Sequence, residues 1–487
     1  MKLKLSLVLV ACLVSSSAFA AKKEDTISKL QSQLELIQKE INALKEEQSK
    51  NNKAVKAELA DLQERSDANE FASGLDKIRF GLDFSTGVSN TYSKQLGDKA
   101  NALNKWAGEL NLNMNADVSE YVKFYGRLSM ARYWGQLGSQ FSGKPIDLDS
   151  GRNPATSGTA LYVTRAYVDI FATPELIFTI GRQPGTEGPG SNLRNNALRQ
   201  STYPALFLNT LGDAAIVTYK PSALSDYAFA GRVGYGKVYQ WDETDGEVRD
   251  WISGKETADS TLYYGSAEAR LPLDSIGLGN NLAVVSYVRL QDFSLPIDNG
   301  LLNSFLARGA NVYDLGNADI ANIHFEAYNV AGSGFNYFTS FGYYKGSDRR
   351  QIELASTKQA AAIAPQIQRQ LRFNEKDAWS VHIGGRYDFT QSLKLGAEYF
   401  YGSRYWYTMS RPSINDPLNI RMTRGHAADL YGIWQFDRNQ FVRLSYTYIK
   451  NLWGNRSLPF GGAAKKIDGV SQESTANNIM FMYNLKY

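Results

Sequence analysis

From residue 76 onward, apolar and polar positions alternate with a period of two. Over Lys105–Val118, Trp106, Gly108, Leu110, Leu112, Met114, Ala116 and Val118 take one face, and Glu109, Asn111, Asn113, Asn115 and Asp117 take the other. The final stretch, NIMFMYNLKY, repeats the scheme: Ile479, Phe481, Tyr483, Leu485 and Tyr487 oppose Asn478, Met480, Met482, Asn484 and Lys486. Such strands separate an oily side from a watery one. Strands of a soluble sandwich typically run to about five or six residues. Several here reach ten or more, the length of a tilted bilayer crossing.

Sixteen segments qualify: 78–88, 105–118, 120–134, 159–172, 175–183, 212–220, 225–240, 260–271, 281–295, 319–331, 335–346, 378–389, 392–408, 425–437, 439–453 and 475–487. Short links carry turn chemistry, as in Thr173-Pro174, Lys220-Pro221-Ser222, Ala331-Gly332-Ser333-Gly334, Phe389-Thr390-Gln391 and Asp437-Arg438-Asn439. Long polar connections fall between them at 135–158, 184–211, 241–259, 296–318, 347–377, 409–424 and 454–474. The pattern predicts an all-β fold, a transmembrane antiparallel β-barrel of about sixteen strands, within a range of about 14–18. An open sheet edge cannot persist in hydrocarbon, so the strands must close. An even count places both barrel ends on one side, the periplasmic one.

A different period governs residues 27–62. Ile27, Leu34, Ile41, Gln48, Val55 and Leu62 occupy one heptad core position, and Leu30, Ile37, Leu44, Asn51 and Glu58 the other. The first three heptads are cleanly apolar. This predicts a self-associating coiled coil, a periplasmic stalk over residues 21–75 preceding a barrel over 76–487. Residues 1–20 read as a secretory signal, with Lys2 and Lys4 ahead of an apolar core and Ala18-Phe19-Ala20 as the cleavage site. Leu9-Val10-Ala11-Cys12 also resembles a lipoprotein cleavage box, at the cost of a very short apolar core.

Mean hydropathy is −0.36, and no long apolar run follows the signal, which excludes membrane helices. The single cysteine, Cys12, lies within the signal, so thiol and disulfide chemistry are excluded from the mature chain. A net charge of +4 over 487 residues is too small to suggest nucleic acid. The expected location is the bacterial outer membrane. The expected partners are outer-membrane lipid and lipopolysaccharide, two further copies of the chain in a homotrimer joined through coiled coil and barrel walls, peptidoglycan, and small hydrophilic solutes.

If apolar positions meet lipid, their neighbours line a pore. Alternation then turns Arg79, Arg127, Arg165, Arg270, Arg289, Arg386, Arg404 and Arg443 inward, with Lys123 and Lys394. Glu109, Asp169, Glu268, Glu326, Asp388, Glu398 and Asp429 join them. Charges of both signs keep a lumen wet and set a transverse field, and the arginine surplus points to a mild preference for anions. The loop at 184–211 carries Pro184, Gly185, Gly188, Pro189 and Gly190, then a helical stretch from Asn192 to Gln200, then an apolar patch from Ala205 to Leu208. A loop with an apolar anchor is expected to fold into the barrel and constrict it, bordered by Glu187, Arg194 and Arg199. Gln351 to Leu371 reads as an amphipathic helix. Asp242, Glu243, Asp245 and Glu247 loosely resemble a calcium loop but lack its full spacing.

No catalytic residue, cofactor or metal site is expected. Only His324, His382 and His426 exist, with no nucleophile signature of the GxSxG kind. A globular plug before a 22-strand barrel would mark an energy-coupled transporter, and the heptad segment cannot form one. The reading is a passive diffusion channel for small hydrophilic solutes or ions. The alternative is a structural tether or adhesin whose stalk contacts the cell wall; a barrel enzyme ranks below both.

The stretches TRAYVDI (164–170), FTIGRQPGTEGP (178–189), RQSTYPAL (199–206) and DAAIVTYKP (213–221) carry a resemblance. Through them the chain resembles an uncharacterised family of porin-like outer-membrane β-barrel proteins with an N-terminal coiled coil. In layout it also looks like trimeric porins of the phosphate-selective type, in which the third loop constricts the channel. The resemblance further implies that the terminal aromatic is the mark read by the barrel-assembly machinery. It carries over no solute-binding residue: Arg194 and Arg199 alone do not make a phosphate-selective loop.

Overall fold

The computed structural model describes residues 78–134, 161–183, 187–197, 212–239, 259–296, 316–347, 377–408, 412–454 and 469–487, with a few shorter pieces. The expected signal, all but scattered residues of the stalk, the 351–371 helix and the acidic residues 242–247 lie outside them. The chain divides into two units, Met1–Asp76 and Lys77–Tyr487. In the first, the described residues, Leu34, Glu35 and Leu36 among them, are helical.

The second unit is a closed antiparallel barrel of sixteen strands. They are β1 (Ile78–Gln95), β2 (Asp98–Asp117), β3 (Val122–Tyr133), β4 (Tyr162–Phe171), β5 (Leu176–Gln183), β6 (Gly212–Tyr219), β7 (Ala230–Tyr239) and β8 (Ser260–Ala269). The chain continues through β9 (Asn281–Gln291), β10 (Asn317–Ala327), β11 (Phe335–Ser347), β12 (Ala378–Asp388), β13 (Leu393–Gly402), β14 (Gly425–Gln435), β15 (Gln440–Asn451) and β16 (Ser474–Lys486). Each pairs with the next, and β16 returns to β1 with Phe84 opposite Leu485 and Val88 opposite Phe481. Leu82 and Tyr487 exchange two backbone hydrogen bonds of 2.7 Å each. No edge is left open, as hydrocarbon requires.

All sixteen strands lie at the positions that the alternation marks. Some boundaries differ, most of all between the first two strands and at the end of β13. Residues 89–104 read as a connection, yet β1 and β2 continue pairing to Gln95 and Asp98, with an irregularity between Ser89 and Thr91. Leu96 (φ 53°) and Gly97 (φ 92°) close a two-residue turn in the left-handed conformation that hairpin twist favours. This extension carries polar residues such as Ser89, Asn90, Ser93 and Lys94. It passes beyond the apolar band, where alternation no longer signals a strand.

The outer surface is apolar, with Ile383, Leu395, Leu430, Leu444 and Phe481 exposed. Aromatic pairs flank this band. Near the short turns, Tyr387 packs on Phe389 (4.8 Å between centroids) and Trp434 on Phe436 (4.7 Å). Toward the long connections, Trp106 stacks on Trp134 (5.0 Å) and Trp379 meets Tyr401 (5.2 Å). Two aromatic girdles around an oily belt suit a wall facing lipid.

The inner surface is uneven. Inner side chains of β1, β3 and β4 are mostly half-buried, whereas those of β9 to β15 are almost all sealed. The segment 403–424 seals part of this wall. Its Trp406, Tyr407, Leu418, Ile420 and Met422 form one core with Val288, Leu290, Ala318, Ile320, Tyr344, Phe400, Ala427 and Ile449 of the inner wall. Two of its carbonyls are met from within the segment: Trp406 Nε1 donates to the Arg421 carbonyl and Arg424 Nε to the Trp406 carbonyl, both at 2.8 Å. By composition, 409–424 reads as a polar connection. The run from Trp406 to Met422 holds enough large apolar residues to have betrayed its burial.

Candidate functional site

The loop after β5 enters the barrel. Gly188 (φ 86°) and Gly190 (φ 74°) turn it, and a single helical turn, Ser191–Arg194, follows. Both glycines are required twice over. Each has a left-handed φ, and a Cβ at Gly190 would overlap the Phe338 ring while one at Gly188 would overlap the Arg421 side chain. The helix is shorter than the expected Asn192–Gln200, and all four of its residues are buried. The residues from Ala205 to Leu208, the expected apolar anchor, lie outside the described residues, as does Arg199. Across the described residues the loop is held instead by polar contacts.

Those contacts come from one side of the barrel. Arg194 Nη1 donates to Glu398 Oε2 of β13 at 3.1 Å, and His382 Nε2 of β12 lies 3.1 Å from the same oxygen. Arg386 of β12 donates to the Leu193 carbonyl (2.7 Å) while gripping Asp388 through Nε (2.6 Å) and Nη2 (2.9 Å). Arg443 of β15 donates to the Arg194 carbonyl (3.1 Å) and Asn195 Oδ1 (2.8 Å). Lys486 of β16 reaches the Asn195 carbonyl (2.9 Å), and Lys394 of β13 reaches Asn196 Oδ1 (2.7 Å). Asn192 bonds the hydroxyl of Tyr328, which donates to Glu326 Oε2 at 3.0 Å. Helix-end carbonyls are thus capped by cations, the charge that the end of a helix favours.

The two inward segments also touch each other. Arg443 Nη2 donates to the Asn415 carbonyl (2.9 Å), and Asn415 Nδ2 to Glu187 Oε1 (3.4 Å). Glu187 accepts from Asn195 as well. Burial would raise the Glu187 carboxyl, but Arg194, hydrogen bonds from Ser413 and Asn195, and Arg421 outweigh it and hold it below its ordinary value. Burial pushes the Arg424 guanidinium down to about 10.

The remaining charges are spread around the rest of the inner wall and its short-turn end. Arg127 of β3 donates to Asn113 Oδ1 (2.6 Å) and Asp83 Oδ2 (2.9 Å). Arg165 and Asp169 of β4 share its face. Glu109 accepts from Asn111 at 2.9 Å. Arg79 pairs with Asp117 (2.9 Å) at the short-turn mouth, where both are exposed. Arg232 and Glu268 form a buried pair at 2.8 Å. An open cleft of about 730 Å³ at the same end is lined by Asp388, Lys394, Gln435, Asp437 and Arg438.

Three expected inward arginines lie elsewhere. Arg289 shares its face of β9 with exposed Val285 and Tyr287 and pairs outside with Asp319 (3.2 Å). Val284, Val288 and Leu290 face inward there and are buried, so apolar residues on both sides erased the polarity signal. Arg270 falls in the turn after β8, where it pairs with Asp274 at 2.7 Å. Arg404 falls past β13, which ends at Gly402 rather than at residue 408; it is exposed over Tyr405.

Residues 99–486 match the model of a family described as a protein of unknown function, DUF3373. The chain belongs to the DUF3373 family. No curated protein matches its sequence. Two of the solved structures similar to this DUF3373 chain are outer-membrane proteins. OmpT of Vibrio cholerae in its trimer form is 14% identical, over 84% of this chain and 99% of that one, with a TM-score of 0.43. OmpF of Salmonella typhi, in complex with daunomycin, is 11% identical, over 84% of this chain and 98% of that one, also with a TM-score of 0.43. The strand pairing of the DUF3373 chain by itself closes the barrel.

Proposed function

We propose that this chain is a passive diffusion channel of the bacterial outer membrane, narrowed by its inward loop. The observation that carries the reading is an imbalance between adjoining stretches of the inner wall. The loop residues 187–197 are bonded to β12 through β16, while Arg127 and Asp83 on the adjoining wall of β1 and β3 keep about a quarter of their side-chain surface open, at 28% each. A charged, half-open wall beside a docked loop is the arrangement of an aqueous constriction. Size exclusion happens at the gap, and Arg127, Arg165, Asp83 and Asp169 select by charge. The stalk extends into the periplasm toward peptidoglycan and, with the barrel walls, gathers three copies. Lipopolysaccharide surrounds the outer girdle.

No catalytic step is assigned to it. His324 lies against Glu326 (3.3 Å), His382 against Glu398, and His426 faces outward beside the Tyr399 hydroxyl (2.7 Å). Conductance of the purified protein in planar bilayers tests the reading. Discrete steps in potassium chloride support it; a silent membrane containing folded protein ends it.

One observation favours a second reading. The core formed by 403–424 and the wall of β9 to β15 makes much of the interior solid, as suits a structural tether. A tether gives no steps in the same experiment, yet sediments with peptidoglycan.

A further inference from the structure

We propose that the inner wall of β3 and β4 carries a binding subsite for a small carboxylate attached to a planar ring. Arg127 and Arg165 stand directly opposite each other across the two strands. Like charges in that position repel and need compensation. Arg127 has it from Asp83 and Asn113. The neighbouring carboxylates are committed elsewhere: Asp117 to Arg79 and Lys123, Asp169 to the Thr179 hydroxyl. Arg165 forms no hydrogen bond or ion pair with any described residue, and its Nε is buried without a partner. A half-buried guanidinium in this state has paid part of its desolvation and holds its donor fork ready for an oxoanion.

The next inward pair along the same strands is Tyr125 opposite Tyr167. Their rings stack at 5.0 Å between centroids and 23° between planes, and both are half-buried. Neither hydroxyl is bonded to another described residue. A flat ring lying on this aromatic surface places a carboxylate substituent at Arg165. Arg127, fixed by Asp83, adds positive potential behind it without competing for the contact. The ring contributes stacking and the carboxylate a charge-assisted bidentate contact. A bare phosphate or acetate would gain only the second.

The subsite rests on the channel reading only in that solutes reach it through the lumen. Benzoate and acetate are the probes, at neutral pH where both are ionised. Benzoate binding to the detergent-solubilised full chain is measured calorimetrically, independently of conduction. Wild type should bind benzoate about tenfold more tightly than acetate, and Arg165→Gln should weaken benzoate by about tenfold. Tyr167→Leu should abolish the advantage of benzoate over acetate while leaving acetate unchanged. In bilayers, benzoate should reduce the chloride current of wild type and not of Arg165→Gln. Equal binding by wild type and Arg165→Gln overturns the subsite. Benzoate and acetate binding equally overturns its aromatic half. Retained binding without any conductance leaves the subsite standing and removes the channel. Arg165→Lys, which keeps the charge but not the fork, separates bidentate recognition from mere attraction: full binding by this variant counts against the geometry proposed.

Discussion

Arg194 and Glu398 form an ion pair at 3.1 Å across 204 residues of sequence, with side chains only 3% and 0% exposed. Water cannot relieve either charge if its partner is lost, so this contact decides whether the loop stays docked.

Replacing Glu398 by Gln leaves the Arg194 guanidinium buried beside a neutral amide. Breaking such a pair costs about 3–5 kcal/mol. The variant should unfold at lower denaturant concentration in detergent, and protease should cut within 187–197 while the barrel survives. A loop as resistant as wild type would show that Arg386 and Arg443 suffice to hold it.

Trp406→Ala removes the centre of the core between 403–424 and the wall. Deleting a fully buried Trp costs about 3–5 kcal/mol. Thermal melting followed by near-ultraviolet circular dichroism should drop accordingly. The change should also raise conductance by loosening the interior. An unaltered melting point would mean the segment contributes little to stability.

Leu430 faces outward from β14 and is 53% exposed. Leu430→Arg should impair folding into bilayers by about 2–4 kcal/mol if the position lies near the midplane. The same substitution should cost little in a water-filled environment. Reversible folding into short-chain lipid vesicles distinguishes the two, and indifference there would contradict a lipid-facing wall.

Glu187 gives the pH response its sign. Its carboxyl sits below the ordinary value in the folded protein, so it binds a proton more weakly than in the unfolded chain. It therefore stabilises the docked loop above the unfolded carboxylate pKa of about 4.3, and that contribution is lost as pH falls through the folded value. Conductance should stay flat from neutral pH down to the ordinary carboxylate range and rise only in stronger acid. Glu187→Gln should show the acid-like conductance already at neutral pH. An acid response identical in both proteins would assign it to another group.

Strand positions were legible because lipid outside imposes one rule on every strand: alternate side chains must be apolar. Phe481 and Leu444 obey it as Leu112 does. The inner face obeys no single rule. Where it stays half-open, as at Arg127 and Asp83, charged residues mark the inward face. Where another segment covers it, as at Val288 and Leu290, apolar residues appear on both faces and the direction of Arg289 is lost. Inward folding of 187–197 could be argued from its turns and flanking apolar residues. Its actual fastening by Arg386, Arg443 and Lys486 could not, because those contacts join residues that only the closed barrel brings together.

Arg443 also grips both inward segments at once, through carbonyls of Arg194 and Asn415. Its strand is the fifteenth of sixteen, so the loop at 187–197 has this fastening only once strands far along the chain are in place. Docking of that loop must wait for these strands, and contacts this distant in sequence form slowly. Early assembly intermediates should be hollow, leakier to ions than the finished molecule, and a cell making this protein has reason to keep that interval short.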